Sequence, residues 1–125
     1  MSNEARSKAE LVKKLKRIPY LVVLRHEDEF TAGIPDISIS LGDRTLWLEI
    51  KRVPYKLREL QHYTLQRLAR SSSDGKPAGY YVIYDKTGTK ASIVPPDEDM
   101  IRKRSWNDRG HDVVIEFVRD WMLKK

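Results

Sequence analysis

The chain contains no cysteine, which excludes both a disulfide framework and any thiolate metal site. No apolar run reaches membrane length, and the first residues, MSNEARSKAELVKKLKRI, carry no apolar stretch of the secretion-signal kind. The expectation is a soluble, unsecreted, cytoplasmic protein with no membrane partner. There is neither an internal repeat nor a low-complexity segment. The three histidines, His26, His62 and His111, lack any paired metal-ligand spacing and read as surface or packing residues. Ser71-Ser72-Ser73 has no partnered base and reads as a loop. Trp106 and Trp121 read as core or interface aromatics, with base stacking unsupported.

What is present is positive charge. Lys and Arg number 24 against 18 Asp and Glu, a formal net charge of +6 in 125 residues. That length suits one domain with a real core, and the surplus suits a polyanionic partner such as nucleic acid.

Along the chain, residues 3–17 predict a helix, because Ala5, Leu11, Val12 and Leu15 share a face while Lys13, Lys14, Lys16 and Arg17 take other positions. Pro19 ends it. YLVVL (20–24) reads as a strand and RHEDEFTAG as a polar loop. A hairpin follows, about 34–41 and 44–52. After Pro54, residues 55–71 predict a second amphipathic helix with Leu57, Leu60, Leu65 and Leu68 inward. SSSDGKPAG is turn material, YYVIYD (80–85) a buried strand and KASIV (90–94) a short last one. The tail DVVIEFVRDWMLKK favours helix. Helix, three strands, helix, two strands, helix predicts a small mixed sheet flanked by helices.

The hairpin carries charges where a plain strand would not. Ile37, Ile39 and Leu41 share one face, as do Leu46, Leu48 and Ile50, and these faces must coincide to form a core. Gly42-Asp43 suits a two-residue type II′ turn, which pairs Leu41 with Arg44 and, counting outwards, Asp36 with Glu49. Their β-carbons would then stand roughly 4.5–5.5 Å apart, with Lys51 one step further along the same face. Facing carboxylates repel, so an external partner is implied. A hard divalent cation, Mg²⁺ or Mn²⁺, fits two carboxylates plus water and phosphate. The adjacent lysine would stabilise negative charge or help deprotonate water. The bland alternative is a solvated ion-pair cluster.

Gly33-Ile34-Pro35-Asp36, then 12 residues, then Glu49-Ile50-Lys51 resembles the PD-(D/E)xK nuclease superfamily. EFTAGIPDISI, TLWLEIKR and LRELQ together resemble its VRR-NUC (virus-type replication-repair nuclease) branch, which has a Gln about ten residues past the lysine. Gln61 occupies that place. The branch also has a Glu in its first helix about 30 residues before the Asp, which Glu4 fits by spacing; Glu4, Leu11 and Leu15 run along one core-facing stripe, Lys8 falls near it, and Glu10, the less favoured alternative, projects well away. The likeness runs from Glu4 to Asp85. It departs after Lys51, where RVPYKLREL replaces a Gly/Ser-rich turn.

The resemblance implies a restriction-endonuclease-like α/β fold, with a core at about 4–95 and a C-terminal extension at about 96–125. It implies an Mg²⁺- or Mn²⁺-dependent DNA endonuclease with Asp36, Glu49 and the main-chain carbonyl of Ile50 on the metal and Glu4 reaching it through water. Lys51 would serve the nucleophile or the developing charge, and Gln61 would orient water or Lys51. Lys13, Lys14, Arg17, Arg52 and Lys56 are the phosphate-contact candidates. By analogy with stand-alone members, the substrate is branched or junction DNA and the assembly a homodimer. The alternatives are a non-catalytic nucleic-acid-binding domain keeping the fold, or a nicking or restriction-like endonuclease. The tail after Pro96, rich in Val, Ile, Phe and Trp, would either cap the sheet or form the dimer contact.

Overall fold

A computed structural model describes residues 2–26, 33–71 and 75–123. Most of the expected polar loop after Arg25, Ser72 and Ser73 of the serine run, and the last two residues of the tail lie outside these. The elements are α1 (Asn3–Leu15), β1 (Val22–Arg25), β2 (Ile37–Leu41), β3 (Arg44–Arg52), α2 (Glu59–Ala69), β4 (Gly79–Tyr84), β5 (Ala91–Val94), α3 (Glu98–Arg102) and α4 (His111–Leu123).

The five strands form one sheet in the order β1-β2-β3-β4-β5. All neighbours are antiparallel except β3 and β4, which run parallel and are joined through α2, since parallel neighbours need a crossover. The sheet separates two apolar layers. Val23, Ile37, Ile39, Leu46, Leu48, Ile50, Val82 and Tyr84 meet Leu11, Val12 and Leu15 of α1 and Val114, Val118, Trp121 and Met122 of α4. Tyr81, Ile83 and Val94 on the other face meet Leu65 of α2 and Ile101 of α3. Each fully buried aliphatic side chain contributes about 1.5–3 kcal/mol, so the hairpin's inward row is a main source of stability.

The hairpin closes as its pattern requires. Leu41 pairs with Arg44, Ile39 with Leu46 and Ile37 with Leu48. Gly42 has φ 62° while among the described residues no non-glycine has positive φ, as a II′ turn requires.

Several boundaries differ for local reasons. Past Leu15 the chain tightens, with Arg17 N–H donating to Lys14 O at 3.2 Å and Leu21 N–H to Ile18 O at 3.3 Å. This delays β1 to Val22. Helix α2 begins only at Glu59, because Arg58 before it is extended. Leu60 is exposed rather than inward, since it lies five positions before buried Leu65, about 140° around a helix. Short α3, hidden in the sequence, is started by Asp97, whose side chain accepts from Asp99 N–H and Met100 N–H.

The tail joins the core of its own chain. Trp121 Nε1 donates to Pro77 O at 3.0 Å, and the Tyr84 hydroxyl and His111 Nδ1 lie 2.7 Å apart. Gly110, just before α4, has φ 55°, and a β-carbon there would stand 2.6 Å from Thr89 O. Gly110→Ala is therefore expected to destabilise by about 2 kcal/mol or more, read as a lower denaturation midpoint in urea.

Candidate active site

The sheet face under α2 carries Ser38, Trp47, Glu49, Lys51 and Tyr81, by the alternation of side chains along paired strands. Asp36 stands one step beyond the Ile37–Leu48 pair, and His26 N–H extends the ladder by donating to Asp36 O at 2.8 Å.

The two carboxylates are locked by main-chain amides from each other's strand. Asp36 N–H donates to Glu49 Oε1 at 3.0 Å, and Ile50 N–H donates to Asp36 Oδ2 at 2.9 Å. This reciprocal clasp uses one oxygen of each carboxylate. The remaining oxygens each face an ammonium: Lys8 Nζ is 3.3 Å from Asp36 Oδ1, and Lys51 Nζ is 3.5 Å from Glu49 Oε2. Charge-assisted bonds of this kind fix side-chain direction as well as adding stability.

Glu49 is only 2 % exposed. Its burial, and next the nearby Asp36 carboxylate, push its pKa from 4.5 up to about 8 against the opposing pull of Lys51. At neutral pH the metal-free site therefore favours a proton on Glu49. Burial, and then Glu49, also push the Tyr81 phenol up.

Of the other residues expected here, Glu4 reaches the same end of the sheet and accepts from Arg52 N–H at 3.3 Å. Glu10 points elsewhere, with His111 Nε2 3.1 Å away. Among the described residues no group of three or more His, Asp or Glu side chains converges as a metal cluster, so the side chains brought together are Asp36 and Glu49. Two clasped hard oxygen donors with a neighbouring cation still suit Mg²⁺ or Mn²⁺, which keep several waters. Gln61 lies in the first turn of α2, and its Oε1 is buried with no hydrogen-bond partner among the described residues. Lys13, Arg17 and Lys56 are exposed and Lys14 half-buried. Arg52 has a different commitment: its guanidinium donates to Asn3 O at 3.2 Å, Ser7 Oγ at 3.3 Å and Lys86 O at 3.1 Å, tying α1 to the β4–β5 turn.

Some neighbours were not assigned from sequence. Lys8 is at Asp36. His26 Nε2 is 2.8 Å from Ser38 Oγ, and its ring lies over Trp47 at 5.4 Å between centroids. His62 Nδ1 is 2.7 Å from the Tyr81 hydroxyl. Only Lys8 left a trace in the pattern, through its place on the helix stripe; the histidines meet partners from other strands.

A five-stranded mixed sheet flanked by helices on both faces is a restriction-endonuclease-like fold. No protein-family model and no curated protein matches the chain. Among solved structures it is similar to Archaeoglobus fulgidus Hjc, a Holliday junction resolvase from an archaeal hyperthermophile, with a TM-score of 0.54 and 18% identity over 84% of this chain and 92% of that one.

Proposed function

We propose that the chain is a divalent-metal-dependent DNA endonuclease of PD-(D/E)xK type, of the VRR-NUC branch, acting on branched DNA. The observation that carries this reading is the clasp, which sets two carboxylates side by side with a lysine at each free oxygen. The shared fold with a Holliday junction resolvase supports the substrate class.

Asp36 and Glu49 would hold Mg²⁺ or Mn²⁺, with the Ile50 carbonyl as a further ligand and Glu4 acting through water. Bound there, the ion would supply Lewis acidity and a more acidic water. Lys51, largely buried, would hold its ammonium against the scissile phosphate, where low exposure strengthens its field. Gln61 would offer its unpartnered Oε1 to Lys51 or to the attacking water. Lys13, Lys14, Arg17 and Lys56 would contact phosphates.

The test is incubation with linear, flapped and four-way-junction DNAs with and without Mg²⁺. Cleavage should require the ion and be greatest on the junction; full activity in EDTA would end the reading. Affinity should also fall linearly in log–log form as salt rises, each phosphate contact adding about 0.9 to the slope. A salt-independent affinity would exclude the basic surface as the binding determinant. Symmetric resolution needs two cuts, and a two-fold homodimer would supply them with matched polarity. Light scattering at micromolar concentration should give twice the chain mass.

A further inference from the structure

A divalent ion entering between Asp36 and Glu49 meets a pair that two lysines already face. Lys8 faces Asp36 Oδ1 and Lys51 faces Glu49 Oε2, at 3.3 Å and 3.5 Å. The other two oxygens are taken by the amides of Ile50 and Asp36. The ammonium groups thus sit on the two oxygens that the clasp leaves for an ion. Among the described residues two ammonium groups already face the pair, and two further positive charges within a few ångströms of both lysines bring strong repulsion in a poorly solvated place. One ammonium has to withdraw.

The two lysines are not equally able to do so. The Lys51 side chain is 8% exposed and its carboxylate 3%, on a strand covered by α2. The Lys8 side chain is 19% exposed and Asp36 18%, and Lys8 stands on α1 at the rim, with a flexible four-carbon stem. Swinging out to water is open to Lys8 and closed to Lys51.

We propose that Lys8 is a charge gate on the metal centre. In the metal-free protein it holds Asp36 Oδ1; on metal entry it gives up that oxygen and stays at the rim as a phosphate contact. This rests on Asp36 and Glu49 being the metal pair. It makes Lys8 a positioning residue that sets how readily the centre loads.

The experiment is titration of the DNA-free protein with Mn²⁺, followed by calorimetry and by the spin resonance signal of the free ion. Lys8→Met, of similar length but neutral, should bind Mn²⁺ about threefold tighter or more, the scale set by loss of one partly exposed ion pair. Lys8→Gln should move the same way, and Lys8→Arg should return to the wild-type value. Binding of Lys8→Met to uncleaved junction DNA in EDTA should lose about one unit of salt slope. Wild-type affinity for Mn²⁺ in both neutral variants would overturn the gate alone. Absence in the wild type of any Mn²⁺ binding that Asp36→Ala removes would overturn the metal centre, and the gate with it.

Discussion

Asp36→Ala is expected to abolish Mg²⁺-dependent cleavage, by about a thousandfold or more, while the chain stays folded. Metal ions contribute several kcal/mol of charge stabilisation to phosphoryl chemistry, and each 1.36 kcal/mol is tenfold in rate. The structural loss is smaller. Asp36 Oδ2 accepts from Ile50 N–H at 2.9 Å, and without it that amide has no carboxylate partner, at about 1–3 kcal/mol. Glu49→Ala should give the same catalytic loss. Lys51→Ala should lose activity yet keep Mn²⁺ binding, because the lysine is not a ligand. Gel assays on junction DNA alongside circular dichroism separate the two effects, and undiminished cleavage by either carboxylate variant would remove the site.

The second large effect is on stability. Glu49 is raised from 4.5 to about 8 in the folded chain, first by burial and then by Asp36. Between those values the folded state keeps a proton that the unfolded state has released, so stability falls as pH rises from about 4.5 through about 8 and is flat below. The native penalty at high pH is on the order of 5 kcal/mol. Glu49→Gln removes the charge and keeps the shape. In EDTA it should melt well above the wild type at pH 9 and close to it at pH 4. Equal melting at pH 9 would mean that the site tolerates the buried charge without penalty. Adding Mg²⁺ should raise the wild type at pH 8 and leave Glu49→Gln nearly unmoved, since only binding to the folded state stabilises.

These expectations draw on features with unequal sequence traces. The hairpin is legible almost atom by atom, because strict alternation around Gly42-Asp43 allows one register that buries Ile37, Ile39, Leu46, Leu48 and Ile50 together. That register alone puts Asp36 across from Glu49. The helix-1 residues are legible only in part. A stripe on α1 brings Glu4 and Lys8 to the same side, but which of them faces Asp36 depends on how α1 lies on the sheet. The leucine spacing in α2 misleads, because Leu60 and Leu65 stand about 140° apart on the helix and only Leu65 faces the core. Arg52 looks like a free surface cation in sequence; its carbonyl partners come from α1 and a distant turn. The pairings of His26 with Ser38 and His62 with Tyr81 leave no periodic signal, since each joins residues through sheet order or helix packing alone. The tail's apolar bulk was visible, and its burial against α1 and the sheet shows that bulk in the service of the chain's own core.

Because the clasp is made from main-chain amides, the two carboxylates can meet only after β2 and β3 have closed in the right frame. A hairpin one residue out of step would send Asp36 and Glu49 to opposite faces and leave both amides without these acceptors. Under the nuclease reading, the ion-binding pair is then a checkpoint on assembly. A chain still emerging or misthreaded would have no blade, and a basic protein with affinity for DNA could fold in its presence without nicking it.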